Sequence, residues 1–404
     1  MKYVIVGAGP AGLNAAATLR HVDPGGVVTM LSGEGTPPYA KMVLPYLLAG
    51  AIEEKHLYLP VPEGVNFRMG RKVTRIDPKQ RIIEAGNGET MAYDRLLVAT
   101  GGVPERPAVK GNDHPFVLTI RDLPDVRRIQ ELLKGKKTKG HAVIAGAGPV
   151  SMETGDALHR LGMKLTLVVT SDRVFSAMLD VQAAGVVENH LRKQGVDVLK
   201  GEDIVQIGAG GKVTLSSGKT LDCDLVVFGK GVRPCVAFLA ESGIAVRRGL
   251  VVNECMETNI PGIFAAGDAA ETKDLVAGDR RVNALWPVAV EQGRIAALNM
   301  AGVKAVYEGS LSRNIMRVFD LSIFAAGQGR ADGPEVKVSS GPDFYRKIVL
   351  DKGVLKGVVF IGNIRHEGLC RGMLQSGIDV TSFADILLKG AFAYPRLQRR
   401  AMRI

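Results

Sequence analysis

The chain has 404 residues, of which 46% are hydrophobic and 23% are charged, and it contains no long polar or low-complexity tract. This length and composition predict two or three globular domains and exclude a disordered chain. No apolar run approaches the roughly 20 residues that cross a bilayer, and no signal-peptide pattern opens the chain, so no membrane span is expected.

Charge and cysteine content narrow the class of protein. The net charge of +11 would attract nucleic acid, anionic lipid or an acidic protein, or belongs to a basic soluble protein with phosphate pockets. No nucleic-acid-binding motif accompanies it, so nucleic acid is not an expected partner. The cysteines lack any C-x-x-C or zinc-like spacing, which predicts no metal site and a reduced, cytoplasmic protein. They are Cys223, Cys235, Cys255 and Cys370.

The chain opens with a predicted βαβ unit. An apolar strand runs into a G-x-G-x-x-G turn and an alanine-rich helix, and a second strand follows. The first glycine permits the tight turn, the second lets the backbone approach a pyrophosphate, and the third lets the helix pack closely on the strand. The positive N-terminus of the helix would hold the pyrophosphate. The residues predicted to form this site are Gly7, Gly9, Pro10, Ala11 and Gly12.

The same pattern returns in the middle of the chain. A strand over 141–145 leads into a second glycine turn and helix, and the strand 164–169 completes the unit. One glycine motif is weak evidence, but two copies, each between a strand and a helix, form an internal repeat. The residues of the second turn are Gly146, Gly148 and Ser151, in which a serine replaces the third small residue.

Three other predicted strands end in turns of small residues, and the sequence pattern changes toward the C-terminus. Buried strands are predicted before Ala99-Thr100-Gly101, before Gly229-Lys230-Gly231, and before Ala266-Gly267-Asp268. From about 312 the pattern changes to strand-like stretches followed by a helical tail from Gly372. The sequence therefore predicts an α/β fold with two Rossmann-like dinucleotide-binding domains and a small C-terminal α+β domain.

Taken together, these motifs resemble those of the FAD-dependent pyridine nucleotide-disulfide oxidoreductase superfamily, over essentially the whole chain. The segments 38–41, 285–287 and 368–372 are similar to its nitrite-reductase-like and NADH-oxidase-like branch. The resemblance implies an FAD-binding domain at 1–112 and 242–310, interrupted by an NAD(P)-binding domain at 113–241. It also implies a C-terminal interface domain at 311–404.

The resemblance also assigns FAD contacts. The first glycine turn would hold the pyrophosphate, and Glu34, displaced from the expected position 32, would take the adenosine ribose or else be a solvent-facing loop residue. Asp268 would accept hydrogen bonds from the ribityl chain, or cap a helix, or do both. Trp286 would lie along the flavin ring or fill the core. The further predicted FAD contacts are Ala99, Thr100, Gly101, Gly267 and Pro287.

Two charged residues are predicted to act near the reacting rings. By resemblance Lys41 lies near the flavin, where a fixed cation would stabilise the reduced ring, and Glu153 lies near the nicotinamide. The alternatives are an ordinary surface lysine and a helix-surface glutamate. Gly229 and Gly231 would let the nicotinamide approach.

Two departures from the family pattern bear on the chemistry. Met42 stands where the branch has its redox cysteine, and it cannot form a thiolate, so the flavin alone would carry the redox work. Val169 stands where a ribose-binding acid would favour NAD. Asp172 could substitute for it, or Ser171 and Arg173 could hold a 2′-phosphate. The sequence favours NAD(H) over NADP(H).

Three functions are compatible with this pattern. The first is an FAD-dependent NAD(P)H:acceptor oxidoreductase that exchanges electrons with an acidic iron–sulfur protein or partner subunit, for example as the NAD-linked flavin subunit of an aldehyde oxidoreductase. The others are a stand-alone NADH oxidase that reduces oxygen and a non-catalytic FAD-binding scaffold. A homodimer and a hetero-complex are both open. The basic tail would attract an acidic partner or be a solvated end; its residues are Arg396, Arg399, Arg400 and Arg403.

Overall fold

The chain forms two compact units. The structure is a computed structural model that describes residues 1–135, 140–333, 335–365 and 367–389. The first unit comprises Met1–Leu47, Ile52–Pro104 and Val232–Ser310. The second comprises Leu48–Ala51, Glu105–Gly231 and the chain from Leu311 onward. The four-part domain division stays a prediction, and the basic tail lies outside the described residues.

The described residues contain both parallel βαβ units and runs of consecutive strands. The strands are β1 Lys2–Val6, β2 Val27–Leu31, β3 Val65–Arg68, β4 Val73–Asp77, β5 Ile82–Ala85, β6 Thr90–Ala92, β7 Arg95–Val98, β8 Gly102–Pro104, β9 Val117–Leu118, β10 His141–Ala145, β11 Lys164–Val169, β12 Asp197–Lys200, β13 Ile204–Ile207, β14 Lys212–Leu215, β15 Thr220–Asp222, β16 Leu225–Phe228, β17 Val232–Pro234, β18 Leu250–Val251, β19 Ile263–Ala265, β20 Ala270–Lys273, β21 Arg280–Arg281, β22 Arg313–Val318, β23 Leu321–Gly327, β24 Val336–Gly341, β25 Phe344–Asp351 and β26 Val354–Ile361. The helices are α1 Pro10–Val22, α2 Leu44–Leu48, α3 Leu123–Leu133, α4 Pro149–Arg160, α5 Val181–Lys193, α6 Trp286–Met300, α7 Glu367–Ser376 and α8 Ala384–Lys389.

A five-stranded parallel sheet forms the centre of the first unit, in the order β19-β7-β1-β2-β3. Strands β1, β2 and β7 are buried after their first residue, because a parallel sheet is covered on both faces. Helix α1 connects β1 to β2 and packs against α6. The carboxyl ends of β1, β7 and β19 therefore lie side by side, and each leads into one of the predicted FAD-binding turns.

The second unit repeats this arrangement. Its parallel sheet has the order β12-β11-β10-β16-β9, and α4 connects β10 to β11 as α1 connects β1 to β2. The predicted α/β fold with two Rossmann-like sheets is confirmed. No described helix combines the length and the apolar character that crossing a bilayer requires.

The chain beyond Leu311 contributes an antiparallel sheet to the second unit, in the order β22-β23-β26-β25-β24. Helices α7 and α8 pack on this sheet, and so do α4 and α5 of the nucleotide-binding part. The change to strand-like sequence patterns near 312 thus coincides with the start of β22.

A buried ion pair ties this sheet to α5. The Lys347 side chain is 2% exposed, and its Nζ lies 2.8 Å from Asp180 Oδ2 and 3.2 Å from Asp332 Oδ1. Asp180 also caps α5 by accepting from the Ala183 N–H, and the Tyr345 hydroxyl donates to it. Burial alone would raise the pKa of Asp180, but these hydrogen bonds outweigh it and hold the pKa below its usual range.

Candidate dinucleotide sites

Backbone contacts leave no room for a side chain at two glycines of the turn after β1. Gly7 has a φ of 116°, and a Cβ there would lie 2.1 Å from the Ala99 carbonyl oxygen. A Cβ at Gly12 would lie 2.0 Å from the Gly7 oxygen, so helix and strand are in direct contact at this point. Gly9 differs, because a Cβ there would project into open space.

The N-terminus of α1 is open to an anion. Gly9 is its N-cap and supplies no side-chain hydrogen bond, Pro10 occupies the start of the helix, and the first turn contains no acidic residue. The first backbone N–H groups of a helix lack partners inside it and carry a partial positive charge. Together with the open space at Gly9, they fit the diphosphate of a dinucleotide.

Two further segments of the first unit meet this helix end. Gly267 has a φ of 75°, and a Cβ there would lie 3.2 Å from the Ala11 Cβ and 3.5 Å from the Ala289 Cβ. The turn before Asp268 is therefore pressed between the first turns of α1 and α6. Asp268 itself is half-buried in the 3₁₀ turn Gly267–Ala269. The helix-cap alternative for Asp268 is wrong, because Ala266 holds the N-cap and β20 begins at Ala270.

Helix α6 begins at the predicted flavin-contacting residues. Trp286 is half-buried and Pro287 exposed, so Trp286 is not a fully buried core residue. The N-cap Leu285 makes no side-chain capping bond, and the first turn of α6 contains no acidic residue. Both helices that adjoin Gly267 thus present uncapped N-termini.

The turn after β7 has a neighbour that the sequence did not indicate. The Thr100 hydroxyl donates to the Cys235 carbonyl at 2.8 Å, and the Cys235 N–H donates to the Gly101 carbonyl at 2.9 Å. The pairing of β8 with β17 brings these segments together.

Two of the other cysteines are buried. Burial raises the pKa of Cys223 and of Cys370 to about 12, so both remain thiols at neutral pH.

Glu34 and Lys41 lie in contact, although the sequence assigned them to opposite ends of FAD. Lys41 Nζ lies 2.6 Å from Glu34 Oε1, and the Tyr39 hydroxyl donates to Glu34 Oε2 at 2.6 Å. The Lys41 ammonium also lies 5.6 Å from the centre of the Tyr39 ring. Glu34 is therefore a held carboxylate in the loop after β2, and not a freely solvated one. The roles of both residues toward FAD stay predictions.

The second glycine turn repeats the features of the first. Gly146 has a φ of 119°, and a Cβ there would lie 2.3 Å from the Gly229 oxygen. Gly148 is the N-cap residue of α4, where no side chain caps the helix. A Cβ at Gly148 would project into open space, as at Gly9. Ser151 uses its hydroxyl to donate to the Gly229 carbonyl at 3.1 Å. The serine thus keeps helix and strand close, and Gly231 is open to space as well.

The charged residues predicted for the second site differ in their surroundings. Glu153 is half-buried in α4, and burial, reinforced by the negative Asp156, raises the pKa of its carboxyl to about 7. It is therefore not an ordinary helix-surface glutamate. Asp172 follows β11 on an exposed loop, and its Oδ1 accepts from Arg173 Nη1 at 2.7 Å. Arg173 Nε donates to the Leu179 carbonyl, so this guanidinium already has two partners.

Comparison with known proteins identifies the family of this chain. Residues 1–293 match the family model described as pyridine nucleotide-disulphide oxidoreductase. An NADH oxidase of Methanocaldococcus jannaschii is 30% identical over 81% of this chain and 76% of its own length. The epsilon subunit of NADH-dependent phenylglyoxylate dehydrogenase from Aromatoleum evansii is 28% identical over 98% of this chain and 96% of its own length.

Among solved structures, a NAD-dependent persulfide reductase from A. fulgidus superposes with a TM-score of 0.87, at 25% identity, over 95% of this chain and 79% of its own. Because it covers 95% of the chain, this likeness extends beyond residue 293, where the family match ends. The chain therefore belongs to the pyridine nucleotide-disulphide oxidoreductase family, and it is a flavoprotein oxidoreductase that depends on NAD(P)H.

Proposed function

We propose that the chain binds FAD in its first unit and NAD(H) in its second, and exchanges electrons with an iron–sulfur protein or partner subunit. The observation that carries the proposal is the pair of uncapped helix N-termini, each entered through a glycine that faces open space. Bound FAD supplies the chemistry, because it takes up a hydride from the nicotinamide and can release the two electrons singly.

The first unit supplies binding and orientation of FAD. The N–H groups at the start of α1 hold the diphosphate, with the Gly9 backbone against it. Asp268 accepts hydrogen bonds from the ribityl chain, and Glu34, held by Tyr39 and Lys41, accepts from the adenosine ribose. A carboxylate fixed by two partners loses little side-chain entropy when it binds a hydroxyl.

The second unit binds and orients the nicotinamide dinucleotide. The N–H groups at the start of α4 hold its diphosphate, and Glu153 contributes a carboxyl that changes charge near neutral pH. Asp172 supports NAD(H), because its charge repels a 2′-phosphate and because it occupies Arg173, the cation that a 2′-phosphate would need.

The proposed partner follows from charge and from the cysteines. The net charge of +11 favours encounter with an acidic protein. Met42 stands in place of the redox cysteine, and the two most buried cysteines are held as thiols, so electrons leave the flavin without a sulfur relay. The relative from Aromatoleum evansii is a named subunit of an NADH-dependent dehydrogenase, which supports a place in a hetero-complex.

A second candidate is a stand-alone NADH oxidase. The relative from Methanocaldococcus jannaschii, which bears that name, favours it. The two candidates differ in what reoxidises the reduced enzyme. An oxidase returns to the oxidised state rapidly in air alone, whereas an electron-transfer subunit reacts slowly with oxygen and rapidly with one-electron acceptors.

The test is a double-mixing stopped-flow experiment on the FAD-loaded chain. The enzyme is reduced by NADH without oxygen and is then mixed with air-saturated buffer, or with an oxidised ferredoxin under nitrogen. We expect reoxidation by ferredoxin to be faster, and to slow with added salt because the encounter is electrostatic. Fast reoxidation by air, with no reaction toward ferredoxin, would establish the oxidase instead.

A further inference from the structure

A buried amide side chain lies directly behind the turn that carries Asp268. Gln292, on α6, is 1% exposed. Its Oε1 accepts a hydrogen bond from the Gly267 N–H at 2.8 Å, and its Nε2 donates to the Thr272 hydroxyl at 3.2 Å. One side chain therefore holds both ends of the segment 267–272, within which Asp268 lies.

The Gly267 N–H needs this partner. Gly267 is buried and opens a 3₁₀ turn, where its N–H finds no acceptor inside the turn. A buried donor left without an acceptor costs far more than an ordinary hydrogen bond gains. The same residue is confined by Ala11 and Ala289, so the turn cannot move toward either helix to find another acceptor.

We propose that Gln292 is a positioning residue for Asp268, which fixes the carboxylate at the place where it binds FAD. This inference rests on the proposed FAD site. An amide suits the task because it accepts from Gly267 and donates to Thr272 at once. Methionine fills the same volume and does neither.

The first measurement is the FAD dissociation constant of folded apoprotein, by quenching of flavin fluorescence. We expect Gln292→Met to weaken FAD binding about tenfold, which corresponds to about 1.4 kcal/mol. Asn299→Leu is the matched control. Asn299 is an amide on the same helix, and it binds the carbonyls of Cys255 and Ala305 rather than the Asp268 turn. Its loss should lower the melting temperature and leave FAD affinity unchanged.

The second measurement separates positioning from general support of the fold. If Gln292 acts through Asp268, then Gln292→Met weakens FAD binding by less than about twofold in an Asp268→Ala background. Equal weakening in both backgrounds overturns the inference. So does unchanged binding in Gln292→Met when Asp268→Ala alone weakens it. Unchanged binding in Asp268→Ala overturns the proposed FAD contact itself, and the inference with it.

A milder variant serves if Gln292→Met does not fold. Thr272→Val removes only the bond to Nε2 and keeps the bond to Gly267. We expect FAD binding about threefold weaker, within the range for loss of one neutral hydrogen bond. This effect should also disappear in the Asp268→Ala background. Persistence of the effect there would overturn the inference.

Discussion

Replacing Glu153 by glutamine tests how the second site titrates. Glu153 is half-buried in α4, and within the described residues no hydrogen bond or ion pair reaches its carboxyl. Burial, and then the charge of Asp156, raise the pKa of this carboxyl from 4.5 to about 7. The folded protein therefore holds the proton across a pH range in which the unfolded chain has released it.

The sign of the pH effect follows from this difference. Below the pKa that Glu153 has in the unfolded chain, its carboxyl is protonated in both the folded and the unfolded protein, and it takes nothing from the free energy of unfolding. As the pH rises toward 7 the unfolded chain gains an ionisation that the folded protein resists, so stability is lost, and the loss is complete above the folded pKa. At 1.36 kcal/mol per pH unit the loss is at most about 3 kcal/mol, and for a half-buried group screened by solvent we expect about 2 kcal/mol.

Glu153→Gln removes this loss because glutamine does not titrate. We expect the variant and the parent to unfold at similar urea concentrations near pH 5, and the variant to be more stable by about 2 kcal/mol near pH 8.5. The rate of flavin reduction by NADH should change with an apparent pKa near 7 in the parent and be flat in the variant. Asp156→Asn should move the parent's inflection to lower pH. Identical pH profiles in parent and Glu153→Gln would refute the reasoning.

Three further changes have definite expected outcomes. Gly12→Ala should prevent FAD retention and lower the melting temperature, because the new methyl would lie 2.0 Å from a backbone oxygen; a yellow, fully stable variant would contradict this. Asp172→Ala should raise the NADPH/NADH ratio of kcat/KM about fivefold, as expected for an exposed charge pair worth about 1 kcal/mol, since Arg173 is released; an unchanged ratio would count against the NAD(H) assignment. Asp180→Ala should destabilise the protein to urea by about 3 kcal/mol, because it removes the cap of α5 and leaves the buried Lys347 charge with only the exposed Asp332 as an ionic partner; a change under about 1 kcal/mol would disagree.

The parts of the molecule that the sequence predicted well are those specified locally. The two glycine turns follow directly from residue spacing, since each lies between one strand and the helix that follows it. Gly7 and Gly146 have a positive φ that other residues rarely adopt, so the glycines themselves indicate the backbone conformation. The α/β fold was predictable for the same reason.

What the sequence did not reveal depends on contacts between distant segments. Cys235 meets the turn after β7 only because β17 pairs with β8, and nothing near residue 235 indicates that pairing. Gln292 is one of a few polar residues in the mostly apolar helix α6, and Lys347 follows another basic residue, Arg346, in β25. Their partners, Gly267 and Asp180, come from other parts of the chain, so their burial could not be foreseen.

The contact between Glu34 and Lys41 was also not predictable, although the two residues are close in the sequence. Read one at a time, each residue suggested its own place along FAD. The 3₁₀ turn at Lys41–Val43 and the bridge between Tyr39 and Tyr58 fold the loop back, so that the Lys41 ammonium reaches Glu34. Spacing along a loop gives no measure of such folding.

Two matched valine variants test the central claim most directly. Gly9 and Gly148 each have an extended backbone that valine adopts, and each faces open space, so neither change should disturb the fold. Measured by anaerobic titration with NADH, Gly9→Val should be folded and colourless. Gly148→Val should be yellow, with a flavin band that NADH no longer bleaches but that dithionite does. If Gly9→Val retains FAD, or if NADH bleaches Gly148→Val as readily as the parent, the account of two separate dinucleotide sites is wrong.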